Sequence, residues 1–395
     1  WSNDGISNVQ TQWRNFSGAQ SVFTDVQLSG AGRPGYDVPQ SVFDTVANTS
    51  AADGNTDSLA FIDPDYEQPS EWKYSLGATY TMDNGLTLDG DIIYSRQNDP
   101  AYYEDVSQTQ IGTTAAGAPI FDFVAGSENY MLTNANTYGD GLAVSLIAKQ
   151  RYDWGLDWSL GYAYTDQTDV SPMTSSVASS NFNNLALSSL VDPRAATSNY
   201  VSPHRFTARI SYAREFIPGH ETRITAFMFS KEGQPQSHVM SSSDLEGDQR
   251  YGRHLLYVPS PNGDDNVVIQ PGFDTAGWNT FLKTNGYEQY AGGFVPRNAR
   301  HTRWSNRMDL RIDQELPLFF GTQARAYLKI YNVLNMLNDS WGRQYDSYFY
   351  SQAVVTSSVD GDGRYVFENF RNRGLTDLRE NASLYEIRLG VQFEF

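Results

Sequence analysis

The end of the sequence, residues 385–395, alternates strictly between apolar and polar side chains. Polar or small residues occupy the even positions, and the odd positions carry Tyr385, Ile387, Leu389, Val391, Phe393 and Phe395. A period of two is typical of a β-strand with one apolar and one polar face. Such a strand fits an outer-membrane β-barrel, which has lipid outside and a polar lumen inside. It also fits the half-buried edge of a soluble antiparallel sheet, so the rest of the chain has to distinguish the two.

The same alternation recurs in pairs of segments joined by turn signals. The first pair spans 72–82 and 86–95, and Asn84-Gly85 between them favours a tight turn because this dipeptide accepts positive φ at little cost. Three more pairs are predicted, at about 138–151 with 156–164, 206–212 with 221–231, and 304–312 with 324–330. The register of 221–231 is ambiguous, and we favour Ile224, Ala226 and Met228 on the apolar face. With the final strand, about nine strands are expected.

The connections between these strands alternate in length. Those at 83–85, 152–155, 217–220 and 316–322 are short, whereas those at about 97–137, 167–203, 232–302 and 334–383 are long and polar. Outer-membrane barrels have short periplasmic turns and long extracellular loops, while a soluble sandwich has no reason to place every long loop at one end. We therefore predict an all-β chain in which residues 72–395 form the carboxyl-terminal portion of a transmembrane antiparallel β-barrel. Its last strand would descend to the periplasm.

Composition is compatible with this fold and excludes several others. Mean hydropathy is −0.50, and no run of residues approaches the ~18 apolar positions that a spanning helix needs. The 25 Tyr and 8 Trp suit aromatic girdles at two membrane interfaces. A net charge of −18 argues against nucleic acid as a partner, and the absence of cysteine excludes disulfides and thiolate metal sites.

Residues 1–71 differ from the strands that follow. They are rich in Gly, Asn, Asp, Ser and Pro with little periodicity, so we expect a long extracellular loop region before the first clear strand. No signal peptide is recognised at Trp1. Because bacterial single-chain barrels have an even strand count and cannot leave sheet edges open in lipid, we expect further strands, either upstream in the same polypeptide or in a second copy.

Charged residues are predicted on the lumen face of the last strands. The main candidates alternate with apolar positions: Arg303, Arg307, Asp309, Arg311, Asp313, Arg325 and Lys329. In a bare channel they would tune ion selectivity. In a wide barrel filled by a plug they would pair with plug carboxylates and with one another. We favour structural pairing, with 303–313 as the tract that contacts a plug.

Several short motifs resemble one family of outer-membrane proteins. They are Phe61-Ile62-Asp63-Pro64-Asp65, Pro69-Ser70-Glu71-Trp72-Lys73, Gly233-Gln234-Pro235, Leu255-Leu256-Tyr257-Val258-Pro259, Pro296-Arg297-Asn298-Ala299, residues 309–317 (DLRIDQELP) and residues 332–338 (NVLNMLN). Together they are similar to motifs of the Oar-like TonB-dependent receptors, from about residue 61 to the end. One difference is that the family usually carries aromatic residues after Gly-Gln-Pro, where this chain has Gln236-Ser237-His238.

The resemblance implies a barrel of about 22 strands, of which this chain supplies the carboxyl-terminal part. It also implies a plug, a TonB box and a signal peptide outside this sequence, and a TonB complex as energising partner. Phe393 and Phe395 resemble the terminal signal that the outer-membrane assembly machinery recognises.

Candidate ligand sites lie in the long connections. Tyr345, Tyr348, Phe349 and Tyr350 could stack on a sugar or peptide at the barrel mouth, or simply pack within their loop. For calcium, two stretches place oxygen ligands at alternate positions, although ordinary Asp-Gly turns have the same sequence: Asp53, Asn55 and Asp57, and Asp360 and Asp362. No other cofactor is expected.

Two functions from different classes follow. No nucleophile, metalloprotease or nucleotide motif is present, so an enzyme is not expected. The first function is energised uptake of a bulky ligand, such as a peptide, a glycan or a metal chelate, across the outer membrane. The second is surface-protein assembly or secretion, in which the long loops hold another protein or a lipoprotein.

Overall fold

The computed structural model describes residues 59–124, 128–241, 245–248, 252–319, 322–346, 351–371 and 377–394, and it is mostly strand. The first twelve strands are β1 Leu59–Ile62, β2 Ser70–Thr81, β3 Thr87–Asn98, β4 Ala101–Asp105, β5 Gln108–Thr113, β6 Pro119–Phe123, β7 Asn129–Asn134, β8 Asp140–Arg151, β9 Leu156–Asp169, β10 Ala196–Thr197, β11 His204–Ile217 and β12 His220–Lys231.

The later strands are β13 Pro235–Ser241, β14 Tyr257–Val258, β15 Val267–Ile269, β16 Gly293–Phe294, β17 Arg300–His301, β18 Ser305–Phe319, β19 Thr322–Tyr331, β20 Tyr345–Asp346, β21 Ser351–Val359, β22 Tyr365–Phe370, β23 Asp377–Leu378 and β24 Glu386–Glu394. The helices are α1 Ala178–Asn183, α2 Thr275–Asn285, α3 Val333–Leu337 and α4 Glu380–Ser383, with a 3-10 turn at Tyr287–Tyr290. Among the described residues, no helix is long and apolar enough to cross a membrane.

The predicted all-β class is confirmed, and its main element is one large antiparallel sheet. Nine strands follow one another in the order β2-β3-β8-β9-β11-β12-β18-β19-β24, and β10 adds a short pairing to the end of β9. The four predicted hairpins and the final strand are these nine strands. Within the described residues the sheet does not close, because β2 and β24 lie at its two ends.

One face of this sheet is apolar across all nine strands. Residues that oppose each other in an antiparallel pair lie on the same face. One such row runs Tyr80, Leu88, Ala148, Leu160, Ala208, Met228 and Met308. A second runs Tyr212, Ile224, Ile312, Leu328 and Leu389. The favoured register of Ile224 and Met228 is therefore the one found.

The apolar face is also exposed. Leu76 is 74% exposed and Leu389 is 81% exposed. The opposite face is polar, as in the row Arg151, Asp157, Ser211, Thr225, Arg311, Lys329 and Arg388. The sheet thus has two chemically different surfaces, as the period-two pattern predicts.

Short turns join the strands at one end of the sheet. Gly85 and Gly219 have φ of 84° and 76°, a left-handed conformation that glycine adopts without steric cost. The turn predicted at 316–322 is shorter than expected, because β18 continues to Phe319. Its pairing with β19 shifts register between Leu316 and Phe319, around Pro317, which has no backbone N–H to donate.

The long connections are folded and are not simple polar loops. We call the described parts of 59–69, 99–139, 170–203, 232–304 and 332–385 the cap. They contain a three-stranded sheet β1-β7-β4, a five-stranded sheet β15-β22-β21-β13-β17, and three two-stranded pairs. A strand, β1, also precedes β2 inside the region predicted as a loop. Strands and helices therefore form within these long connections, and residues 1–58 of the region predicted as a loop lie outside the described residues.

Nearly all of the hydrophobic core lies in the cap. One cluster includes Met240, Leu256, Tyr257, Val295, Val355 and Phe367, and a second includes Tyr102, Tyr130, Leu132, Phe182 and Leu187. Helix α2 packs against the first cluster through Trp278, Phe281 and Leu282, which share one helix face. At the start of α2, the side chain of Asp274 accepts a hydrogen bond from Gly277 N at 2.9 Å. Gly286, with φ of 67°, ends the helix.

Candidate functional site

Six of the seven residues predicted to face the lumen lie on the polar face of β18 and β19, and the seventh, Arg303, precedes β18. Arg307 pairs with Asp309 at 2.8 Å, Arg311 with Asp313 at 2.6 Å and Arg325 with Glu315 at 2.9 Å. Two of these ion pairs join residues two apart on β18. The third joins Glu315 of β18 to Arg325, which opposes it on β19. Pairing of these charges with one another is therefore present within the face itself.

Tyrosine rings separate the cations along this face. Tyr327 lies 5.2 Å from the guanidinium of Arg311 and 5.3 Å from the ammonium of Lys329, and Tyr331 lies 5.5 Å from Arg307 and 5.1 Å from Arg388. Cation–π contacts hold such charges in place while leaving part of each exposed. The sequence analysis did not single out the tyrosines, although on β19 they occupy odd-numbered positions, as Arg325 and Lys329 do.

The predicted aromatic ligand cluster is seen only in part. Tyr345 is half-buried in β20, and the guanidinium of Arg303, a predicted lumen residue, lies 5.5 Å from its ring centre. Tyr348, Phe349 and Tyr350 lie outside the described residues. Of the predicted assembly signal, Phe393 is 54% exposed and opposes Ala324, and Phe395 lies outside the described residues.

The calcium candidates have no complete ligand set in the described chain. Asp53, Asn55 and Asp57 lie outside it. The Asp360 carboxylate accepts hydrogen bonds from the backbone N–H groups of Asp362 and Arg364, and pairs with the Arg364 guanidinium at 2.7 Å. These contacts, led by that of the Arg364 side chain, lower the pKa of Asp360. No third acidic or histidine ligand joins Asp360 and Asp362 in the described part of the chain.

Two buried histidines of the cap have opposite environments. His238 Nδ1 is 2.6 Å from the Tyr287 hydroxyl and packs edge-on against Phe281, and burial lowers the pKa of His238 to about 4. His254 lies between Glu246 and Asp248, at 3.3 and 3.5 Å. Burial alone would lower the pKa of His254, but the two carboxylates outweigh it and raise this pKa to about 9. Tyr365 donates a hydrogen bond to the same Glu246 at 2.8 Å.

We expect the cap to be most stable near pH 6.5. The stability from charged His254 is present below pH 6.5, the histidine reference pKa, and is lost as pH rises towards 9. The stability that neutral His238 contributes is present above pH 6.5 and is lost as pH falls towards 4. Pulse proteolysis of the cap from pH 4.5 to 9.5 measures the loss of stability on both the acid and the alkaline side. His254→Gln should remove the alkaline loss alone, and an unchanged alkaline loss in this variant would contradict the assignment.

Arg297 joins the 232–304 part of the cap to the end of β9. Its buried guanidinium pairs with the Asp169 carboxylate at 2.6 Å and donates to the carbonyls of Val170 at 3.0 Å and Ala196 at 3.2 Å. The next residue, Asn298, donates from its side chain to Thr197 O at 2.7 Å. The motif Pro296-Arg297-Asn298-Ala299 thus fixes the cap on the sheet.

A cavity of about 750 Å³ lies where the cap meets the polar face of β2, β3, β8 and β9. The strands contribute Glu71, Lys73, Ser95, Gln97 and Gln167. The cap contributes Tyr66, Met173, Ser198 and Tyr200. Its volume falls within the roughly 300–1,000 Å³ that is common for small-ligand sites. Because its walls come from four strands and several connections, the sequence analysis did not find it.

No family model matches the chain, and a search of curated proteins gave no match.

Proposed function

We propose that this chain forms part of the barrel of an outer-membrane receptor that takes up a bulky ligand with energy from the inner membrane. The observation that carries the proposal is the two-faced sheet, which has every long connection folded into a cap at one end and short turns at the other. Exposed Leu76, Leu146 and Leu389 would form a large apolar patch in water, whereas lipid is their natural solvent.

Aromatic side chains at both ends of the apolar face support a membrane location. Near the cap, Phe206 packs against Tyr162 at 4.9 Å and Trp304 at 6.2 Å between ring centres. Near the short turns, Trp154 packs against Tyr152 at 5.6 Å and Tyr212 at 5.9 Å. Phe206 and Tyr212 are six residues apart on β11, which is about 20 Å along the strand. This spacing is close to the height of the apolar band between two aromatic girdles.

The proposed mechanism uses the two ends of the sheet differently. A ligand would bind on the cap side, and its binding would release a plug from the polar face. Force transmitted by a TonB complex would then open a path along the charged wall of β18, β19 and β24. The cation–carboxylate pairs of that wall would exchange partners with plug carboxylates at little net cost, because both arrangements satisfy the charges.

Uptake by cells tests this proposal. Cells that carry or lack the protein are given labelled oligosaccharides, peptides and iron chelates in parallel. We expect one class to accumulate only in cells with the protein, and accumulation to stop when an uncoupler collapses the proton gradient. Protein-dependent accumulation that persists in uncoupled cells would contradict energised transport.

A second function, surface-protein assembly or secretion, is favoured by one observation. The cap is built around its own hydrophobic clusters and contains a three-stranded and a five-stranded sheet, which gives it the rigid surface that a protein partner needs. Here we expect a surface protein or lipoprotein to co-purify with the chain and to be lost on deletion of 232–302 while the main sheet is retained. An intact complex after this deletion would exclude the 232–302 surface as the contact.

A further inference from the structure

The cavity between cap and sheet offers little free charge to a ligand. Lys73 pairs with Glu71 at 2.9 Å, and the Asp169 carboxylate is held by Arg297 at 2.6 Å. The remaining acid, Asp140, accepts a hydrogen bond from the Thr168 hydroxyl at 2.9 Å. Carboxylates thus outnumber cations among the residues that line the cavity, and its net negative charge disfavours an anionic ligand.

Neutral polar groups are plentiful in the same cavity. The side-chain amides of Gln68, Gln97 and Gln167 have no hydrogen-bond partner among the described residues. An amide both donates and accepts, as does each hydroxyl of a sugar. Tyr66 adds a hydroxyl that stays neutral, because burial raises its pKa to about 12.

Glycines keep the floor of the cavity open between two of these amides. Gln97 on β3 and Gln167 on β9 lie on either side of β8, and Gln97 is beside Gly139 whereas Gln167 opposes Gly141. Two strand spacings and this two-residue offset place them roughly 12 Å apart. Between the two glutamines, the chain carries Gly139 immediately before β8 and Gly141 as the second residue of β8. A Cβ at Gly141 would lie 2.9 Å from Ser95 Oγ and 3.3 Å from Gln167 Cγ, so any larger residue would fill the space.

Aromatic surface completes the site. Tyr66 is half-buried at the wall, and Tyr200 is 66% exposed at the rim. Aromatic rings give the apolar C–H faces of a sugar ring a partner, while its hydroxyls bond to the amides at the edge. The unpaired amides, the aromatic rings and the low free charge of this cavity all suit a neutral ligand that carries many hydroxyl groups.

We propose that this cavity binds a neutral oligosaccharide. The inference deepens the proposed function and rests on it for the role of the ligand in uptake, but binding itself can be measured without transport. The contacts would come from Gln97 and Gln167 on the floor, from Tyr66 at the wall and from Tyr200 at the rim.

The test uses the purified full chain on an array of neutral oligosaccharides (glucans, xylans and mannans), oligogalacturonates and peptides. We expect binding to members of the neutral set, and affinity about fivefold to tenfold weaker in Gln97→Leu and in Gln167→Leu, since each loses hydrogen bonds to the ligand. Gln289→Leu is the matched control, because Gln289 is exposed on the cap away from the cavity. Its affinity should be unchanged, and far-ultraviolet circular dichroism verifies the fold of each variant.

Three results would overturn the inference: preference for oligogalacturonates or peptides, no binding to any neutral oligosaccharide, or full affinity in both cavity variants. The two proposals fail separately. Energised uptake of a peptide or chelate without oligosaccharide binding would keep the receptor and remove the glycan site. Oligosaccharide binding that is lost in both variants, together with uptake that does not depend on the proton gradient, would keep the glycan site and remove energised transport.

Discussion

Replacing Leu146 by Arg is expected to destabilise the protein in a bilayer by about 2–4 kcal/mol, the cost of a cation near the midplane on the lipid face of a barrel. Leu146 is in the middle of β8, opposes Gly90 and Tyr162, and is 55% exposed on the apolar face. If that face were in water, Arg would cost little there. Urea titration of the protein refolded into lipid vesicles measures the free energy of unfolding.

Ser145→Arg is the matched control for this prediction. Ser145 is the preceding residue on the same strand, but it faces the polar side, where its hydroxyl donates to the Asp91 carboxylate at 3.3 Å. Arg at this position would find a carboxylate beside it, so we expect a change within about 1 kcal/mol. Equal effects of the two variants would mean that the apolar face is not in lipid.

The main sheet could be predicted from sequence because its determinants are local. Each strand carries its own period-two pattern, and a turn such as Asn84-Gly85 sets the register of the hairpin on either side. The pairing of Tyr80 with Leu88 follows directly from that turn. Sequential antiparallel neighbours then extend the sheet without any long-range information.

The cap could not be predicted in the same way, because its pairings are not local. Strand β13 lies parallel to β21, and His238 opposes Gln352 across a separation of more than a hundred residues. Its strands are short, and several of its buried side chains are polar, including His238, Gln352 and Arg253. Composition therefore resembles that of a solvated loop although the residues form a core.

The cavity was missed for a related reason. Gln97 and Gln167 are ordinary polar residues near strand ends, and nothing in their local sequence distinguishes them from other glutamines. Only the strand order brings them to the same floor, on either side of β8. The charges of Arg307, Asp309, Arg311 and Asp313 could be assigned to one face from sequence because they alternate within a single strand, β18.

Replacing Arg297 by Met is expected to lower the stability of the cap by about 3–5 kcal/mol, because it leaves the Asp169 carboxylate buried without its cation. Arg297 is 3% exposed, and its guanidinium reaches Asp169, Val170 and Ala196 at once. We expect the 232–304 part of the cap to separate from the end of β9 and to become sensitive to protease at lower urea concentration. The main sheet should unfold as before, since its ladder does not use this residue.

Two further variants test the cause of this loss. Arg194→Met removes a guanidinium that also pairs with a carboxylate, Asp192, at 2.7 Å, but this pair is exposed and should be worth at most about 1 kcal/mol. Combining Arg297→Met with Asp169→Asn should recover part of the loss, because no unpaired charge then remains buried. If the double variant is no more stable than Arg297→Met, the backbone hydrogen bonds to Val170 and Ala196 fix the cap, and the ion pair with Asp169 does not.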